Sequence, residues 1–302
     1  MPASTKLIKG RIKSIKSTRK ITKAMELVAA SKMRKAVSNA LATRPFSRHG
    51  WDVLTRIVGR GDSNAHPLLQ NREVKKILVI LVTTNRGLVG GLNANLLNFV
   101  ERQLRDPSKL MISRVGDTWE QPKNETAEIS IATIGKKGEK AMARMNYKIV
   151  ASFNTVTDTP TFAETRPISK FMIDEFLAGT YDKVVLAYND FISAVAQKPR
   201  LRQILPISSY DLEKMIAHLD RGGAPSLFAS GEGRTLEYKD GTDYLFEPSE
   251  REVLQSILPK LTATQLFQAL LEASASEHSA RMVAMKNAKT GAFTKPTAID
   301  FT

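Results

Sequence analysis

Apolar residues recur at every third or fourth position along the start of the chain: Ile8, Ile12, Ile15, then Ile21, Met25, Val28, then Met33, Val37 and Leu41. That spacing puts them on one stripe of an α-helix. No glycine interrupts 11–49, and the first proline after Pro2 is Pro45, whose ring and missing N–H should kink or end the helix. A helix of about 50 residues would be about 75 Å long, well beyond a normal globular helix. The same spacing returns near the other end, in Val253, Ile257, Leu261, Phe267, Leu271, Met282 and Met285, with Pro259 as a bend or restart. Two long amphipathic helices at opposite ends of one chain predict an antiparallel coiled coil. Small residues such as Ala24, Ala29 and Ala36 make the repeat too irregular for strict heptads.

Between these ends the period changes. The run 76–83 (KILVILVT) is continuous and β-branched, as in a strand buried on both faces. Helical spacing follows over 95–105, then an alternating strand pattern over 128–134 (EISIATI), a short helix over 136–144 and a strand over 148–153. A helix over 162–178, a buried strand over 183–188 (KVVLAY) and an edge strand over 198–207 complete the series. Strand and helix in alternation predict a mainly parallel, Rossmann-like sheet with helices packed on it. Gly, Pro, Ser, Asp and Lys crowd 108–126 and 219–243, which read as loops. The chain therefore divides into an N-terminal shaft helix (1–60), a central α/β domain (76–210), a loop region (211–247), a C-terminal shaft helix (248–290) and a tail (291–302). The predicted fold class is α/β plus a long antiparallel coiled coil.

Charge sharpens this picture. Residues 1–60 hold fifteen Lys and Arg against two acids, Glu26 and Asp52, and so carry thirteen of the chain's +15. A basic helix of this kind implies an anionic partner. Cysteine is absent, which excludes disulfides, thiol switches and thiolate metal sites. The four histidines, His49, His66, His218 and His278, have no close metal-ligand spacing. The longest apolar run, 77–82, is too short to span a bilayer. The first residues carry no signal-peptide stretch, so the expectation is a cytosolic protein that borrows any membrane association from partners.

Candidate chemistry is sparse. The segment 83–93 (TTNRGLVGGLN) stands between the first strand and its helix, where glycine turns can cradle phosphate on backbone N–H groups. Its spacing is G-x-x-G-G rather than G-x-G-x-x-G, and no Gly-Lys-Ser/Thr follows. Glycines that permit a tight turn and close strand–helix packing account for it more simply. No G-x-S-x-G nucleophile motif and no H-E-x-x-H zinc motif occurs. His278 beside Glu277 reads as an ordinary polar helix face. No catalytic, cofactor or metal residue is assigned.

Four blocks carry a family resemblance. The run 11–36 (RIKSIKSTRKITKAMELVAASKMRKA) closely resembles the N-terminal signature of ATP synthase gamma subunits. The segment 85–93 resembles that family's glycine turn, 244–248 (YLFEP) its entry into the C-terminal helix, and 271–288 (LEASASEHSARMVAMKNA) its C-terminal signature. The blocks lie in the expected order over 1–290.

This resemblance implies a coiled coil inside a ring of alpha and beta subunits, with the α/β domain beside the epsilon subunit and on the membrane ring of c subunits. Turning of that ring would drive the shaft, which pushes each beta subunit through open and closed states. The implied role is a non-catalytic coupling subunit, peripheral to the cytoplasmic face of a bacterial-type plasma membrane. By position, Met25 matches the place where shaft meets an acidic beta lever, and Lys20, Lys23, Arg34 and Lys35 are candidate electrostatic contacts. Glu277, Arg281 and Met285 match the opposing helix, and Tyr244, Phe246 and Glu247 match the foot near epsilon and the c ring. After Ala288 the family helix continues for roughly 25 residues, whereas here Gly291 and Pro296 oppose helix, so the helix should end between 287 and 291. The cysteine pair of chloroplast members is missing. Two other readings stand beside this one. A nucleic-acid-binding protein would explain the basic helix, but 1–45 contains no aromatic residue for base stacking. A nucleotide-dependent enzyme would explain the α/β unit, but it lacks the fingerprints.

Overall fold

The computed structural model describes residues 5–58, 66–115, 118–120, 126–207, 247 and 249–294. Helix α1 (Thr5–Val58) is 54 residues long, about 80 Å at 1.5 Å per residue. It passes through Pro45 without ending. Pro45 is exposed, so water reaches the Leu41 carbonyl whose helical partner the proline removes. The last helix, α6 (Glu250–Thr294), likewise runs through Pro259, and the carbonyl freed there belongs to the exposed Gln255. It also continues beyond the stop expected at 287–291. A single glycine at 291 costs about 1 kcal/mol, and a helix already propagating gains a hydrogen bond with each added residue.

Between the helices lie β1 (Lys76–Val82), α2 (Leu92–Arg105), α3 (Ser108–Met111), β2 (Ser113–Val115), β3 (Thr118–Glu120), β4 (Glu128–Ile134), α4 (Lys136–Arg144), β5 (Ile149–Phe153), α5 (Phe162–Leu177), β6 (Lys183–Phe191) and β7 (Gln197–Leu205). The stretch 108–126, read as loop, contains α3 and the β2–β3 hairpin. Leu110 and Met111 are buried in the core and anchor that turn of helix. The companion loop 219–243 lies outside the described residues.

The five-stranded sheet has the order β5-β4-β1-β6-β7. The first four strands are parallel, and β7 adds to β6 antiparallel as an edge. In chain order the parallel strands run 3-2-1-4, the order of a Rossmann-like half with its switch point beside β1. Each face is covered. Ile77, Val79, Leu81, Ile131 and Val185 pack against Leu96, Val100 and Leu104 of α2 and Met142 of α4. Leu78, Ile80, Ile134, Leu186 and Tyr188 pack against Ile168, Met172 and Phe176 of α5 and against Leu254, Leu258, Leu261, Leu266 and Leu270 of α6. The first half of α6 is thus core of the α/β unit, each buried leucine contributing about 1.5–3 kcal/mol. The second half forms the coiled coil.

Pairing of α1 with α6 is antiparallel: Glu26 meets Lys289, and Ala36 packs with Ala275. Among the α1 side chains described, the buried ones are Thr22, Ala29 and Ala36, seven residues apart, which is a heptad seam built from small side chains. The large residues of the apolar stripe flank it. Met25, Met33, Val37 and Leu41 are half-buried, while Ile21 and Val28 are exposed. Small residues on the seam let the two backbones approach and displace the bulkier ones to its sides. Ahead of the seam, Leu7, Ile8, Ile12 and Ile15 are also exposed.

Candidate functional site: the shaft junction

The glycine segment after β1 is a structural turn. Gly135, at φ +96°, lies against it so closely that a Cβ would stand 2.1 Å from the Thr83 carbonyl oxygen. Only glycine fits there. The Thr83 hydroxyl accepts from the Gly138 N–H at 2.8 Å, and the Lys136 N–H donates to Asn85 Oδ1 at 3.1 Å. Asn93 closes the turn on Thr84, donating from Nδ2 to the hydroxyl at 2.8 Å. The turn thereby occupies the Lys136 and Gly138 N–H groups at the start of α4 and ties the two βα connections together. A cavity of about 380 Å³ opens beside this turn at the carboxyl ends of β1, β4 and β5, with Asn85, Asp158, Ser274 and Glu277 in its wall.

On the far side of that cavity, three elements meet. The loop between β5 and α5 carries Asp158, whose carboxylate pairs with Lys32 of α1 at 2.6 Å. Its backbone carbonyl accepts from the Ser274 hydroxyl at 2.6 Å and lies 2.9 Å from His278 Nε2, both on α6. Glu277 pairs with Arg281 at 2.6 Å, and Arg281 also donates to the Gly87 carbonyl at 3.3 Å. Burial pushes the Asp158 carboxyl up, but the Lys32 ammonium outweighs it, with His278 and Arg86 assisting, and the net shift is downward. Glu277 is raised by burial despite Arg281. His278 is lowered, first by burial.

The residues singled out from sequence fall into three groups. Lys20, Lys23, Arg34 and Lys35 are exposed along α1, and Met25 is half-buried. Glu277 and Met285 are buried within the chain, with Arg281 half-buried beside them. Glu247 is exposed, and Tyr244 and Phe246 lie outside the described residues. His278, read from the sequence as part of an ordinary polar helix face, is 1% exposed and bonded to the α/β unit. Lys32, Asp158 and Ser274 were not singled out. Asp158 stands 126 residues from Lys32 and 116 from Ser274, and no local spacing reports such a contact. Among the described residues, no helix is long and apolar enough to cross a membrane.

A Rossmann-like unit that embeds one helix of a long, basic, antiparallel coiled coil defines a shaft-bearing α/β protein. Comparison with known proteins gives the family. Residues 4–294 match the family model described as ATP synthase. The ATP synthase gamma chain of Legionella pneumophila (strain Corby) is 35% identical over 290 residues, 96% of this chain and 88% of the relative. That of Roseiflexus sp. (strain RS-1) is 38% identical over 293 residues, 96% and 87%. The fold matches a chain in the central stalk and c-ring structure of the Tetrahymena thermophila mitochondrial ATP synthase, with TM-score 0.57 and 21% identity over 89% of this chain and 99% of that one. A chain in the rotor of the Euglena gracilis enzyme gives TM-score 0.54 and 17% identity over 95% and 91%. The chain belongs to the ATP synthase gamma-chain family.

Proposed function

We propose that the chain is the central rotor shaft of an F-type ATP synthase and has no catalytic site of its own. Its coiled coil stands inside a ring of alpha and beta subunits, and its α/β unit rides with an epsilon subunit on the ring of c subunits. Proton flow turns that ring. The asymmetric rod then biases each beta subunit toward a different state, which is how rotation becomes ATP synthesis or hydrolysis. The observation that carries this reading is the exposed cationic face of α1, with Lys20, Lys23, Arg34 and Lys35, on a rod about 80 Å long. Exposed charges attract an acidic partner over a Debye length of about 8 Å yet are screened enough to slide past it. Met25, Arg281 and Met285 supply the shape of the rod at that level. Glu247, with Tyr244 and Phe246, belongs to the foot that meets epsilon and the c ring. Such a subunit is peripheral to the membrane, on the cytoplasmic face in a bacterium.

Adding the purified chain to isolated alpha and beta subunits tests this. Alone it should hydrolyse no ATP, and with them it should raise sustained turnover. ATPase activity of the chain that survives rigorous removal of beta subunits refutes the reading.

A further inference from the structure

A shaft transmits torque only if its two helices turn with the body that carries them. Helix α6 meets this requirement through five buried leucines in the sheet's core. Among its described side chains, helix α1 has no such root. Its seam against α6 is Thr22, Ala29 and Ala36, small side chains that interlock shallowly and offer little steric resistance to rolling. It meets the α/β unit at Met33, Ala36 and Val37, through Phe191, and at Lys32, through Asp158.

The Asp158 loop is stiff. Asn154 donates to Glu139 of α4 at 2.7 Å, and the Val156 carbonyl accepts from Asn85 at 2.9 Å. The Thr157 and Thr161 N–H groups both donate to the Glu164 carboxylate, at 3.0 and 2.6 Å, and Thr161 caps α5 in return. Three separate elements thus brace a short loop whose tip is Asp158. That tip grips both shaft helices at once: carboxylate to Lys32, carbonyl to Ser274 and His278. An isolated surface ion pair would contribute little, about 0–1 kcal/mol. Here the acid is presented rigidly and is only partly exposed, and Lys32 engages it to the side of the seam, where a contact resists rotation.

We propose that Asp158 is a positioning residue for coupling: it keys α1 to the α/β unit, so that the N-terminal helix turns with the rotor body instead of rolling on α6. This rests on the shaft reading above. The test uses full-length chain assembled with its alpha, beta, epsilon and membrane subunits in vesicles, measuring protons pumped per ATP hydrolysed. Asp158→Asn and Lys32→Met should each lower that ratio about fivefold, with the double variant no worse than either single, as expected for groups acting through one contact. The charge-swapped pair Lys32→Asp with Asp158→Lys should recover most of it. Wild-type ratios in both single variants, or additive losses with no recovery on swapping, overturn the proposal. A wild-type chain that supports no coupled pumping at all instead refutes the shaft reading.

A second measurement reads position directly. The chain has no cysteine, so Ser31→Cys on α1 and Val150→Cys on β5 can each take one spin label. In the full-length chain, Asp158→Asn should at least double the width of the distance distribution between them while Tm stays within about 4 °C of wild type, the shift expected for under 1 kcal/mol. An unchanged width overturns the proposal.

Discussion

His278 is held neutral by its surroundings. It is buried, its Nε2–H donates to the Asp158 carbonyl, and its Nδ1 faces the Arg281 guanidinium at 3.4 Å. A second proton would have to enter on Nδ1 against that cation, with Lys32 adding to the repulsion. Its folded pKa therefore lies below the unfolded value, and the unfolded chain binds the extra proton first. The stabilisation is complete above the ordinary histidine range and is lost as pH falls through it. His66 shifts the same way, by burial and then Arg251. Glu277, raised by burial, acts oppositely, favouring the fold as pH falls through the carboxylate range. We expect Tm to drop between about pH 7.5 and pH 5.5, and His278→Gln to flatten that slope while lowering Tm at the upper end. An unchanged slope in the variant would show that the proton enters elsewhere.

At the scale of elements, strands were legible because their pattern is local. The alternation of 128–134 and the unbroken run after Lys76 each match a strand of this sheet. The shaft helices were legible as helices, but their partners were not. Helical spacing marks Val253, Ile257 and Leu261 as one face without saying that a sheet covers it, and it passes over Leu254 and Leu258, which go deeper into the core than Val253 and Ile257. Nor does it say that alanines, not the isoleucines, make the seam with α6. Neither Pro45 nor Pro259 ends its helix; whether a proline does so depends on whether water reaches the freed carbonyl, which only the folded surface decides. The junction at Asp158 was illegible because each of its contacts spans more than a hundred residues. Uneven cover along α1 has a measurable outcome. Amides of 6–15, under exposed Leu7, Ile8 and Ile12, should exchange at least about tenfold faster in the isolated chain than those of 29–37, because a helix end without tertiary packing opens at little free-energy cost. Equal protection along both stretches would mean that the first turns have found a partner.

At the scale of the whole molecule, the charge is sorted by region. Thirteen of the fifteen net positive charges belong to residues 1–60, whereas the α/β domain (76–210) mixes eighteen Lys and Arg with thirteen acids. Placement, rather than total charge, should then govern coupling. Lys20→Glu with Lys23→Glu should reduce ATP-driven proton pumping by about tenfold or more in the assembled enzyme, as loss of several partner contacts would. Lys136→Glu with Lys137→Glu, equally exposed but at the start of α4, should leave it within about twofold, the usual range for surface changes away from an interface. Equal losses in the two pairs would mean that α1 serves only as a generic basic surface.

The embedding of α6 in the sheet also orders events in time. A ribosome making about 5–20 residues per second delivers α1 roughly 10–50 s before α6 is complete. Throughout that interval one face of the sheet lacks Leu254, Leu258, Leu261, Leu266 and Leu270, which finish its core. The alanine seam of α1 waits equally long for Ala275. The nascent chain thus displays a cationic amphipathic helix and a sheet face covered by α5 but not yet by α6 to the polyanions around the ribosome. Its yield in cells depends on whatever shields those two surfaces until the last fifty residues arrive.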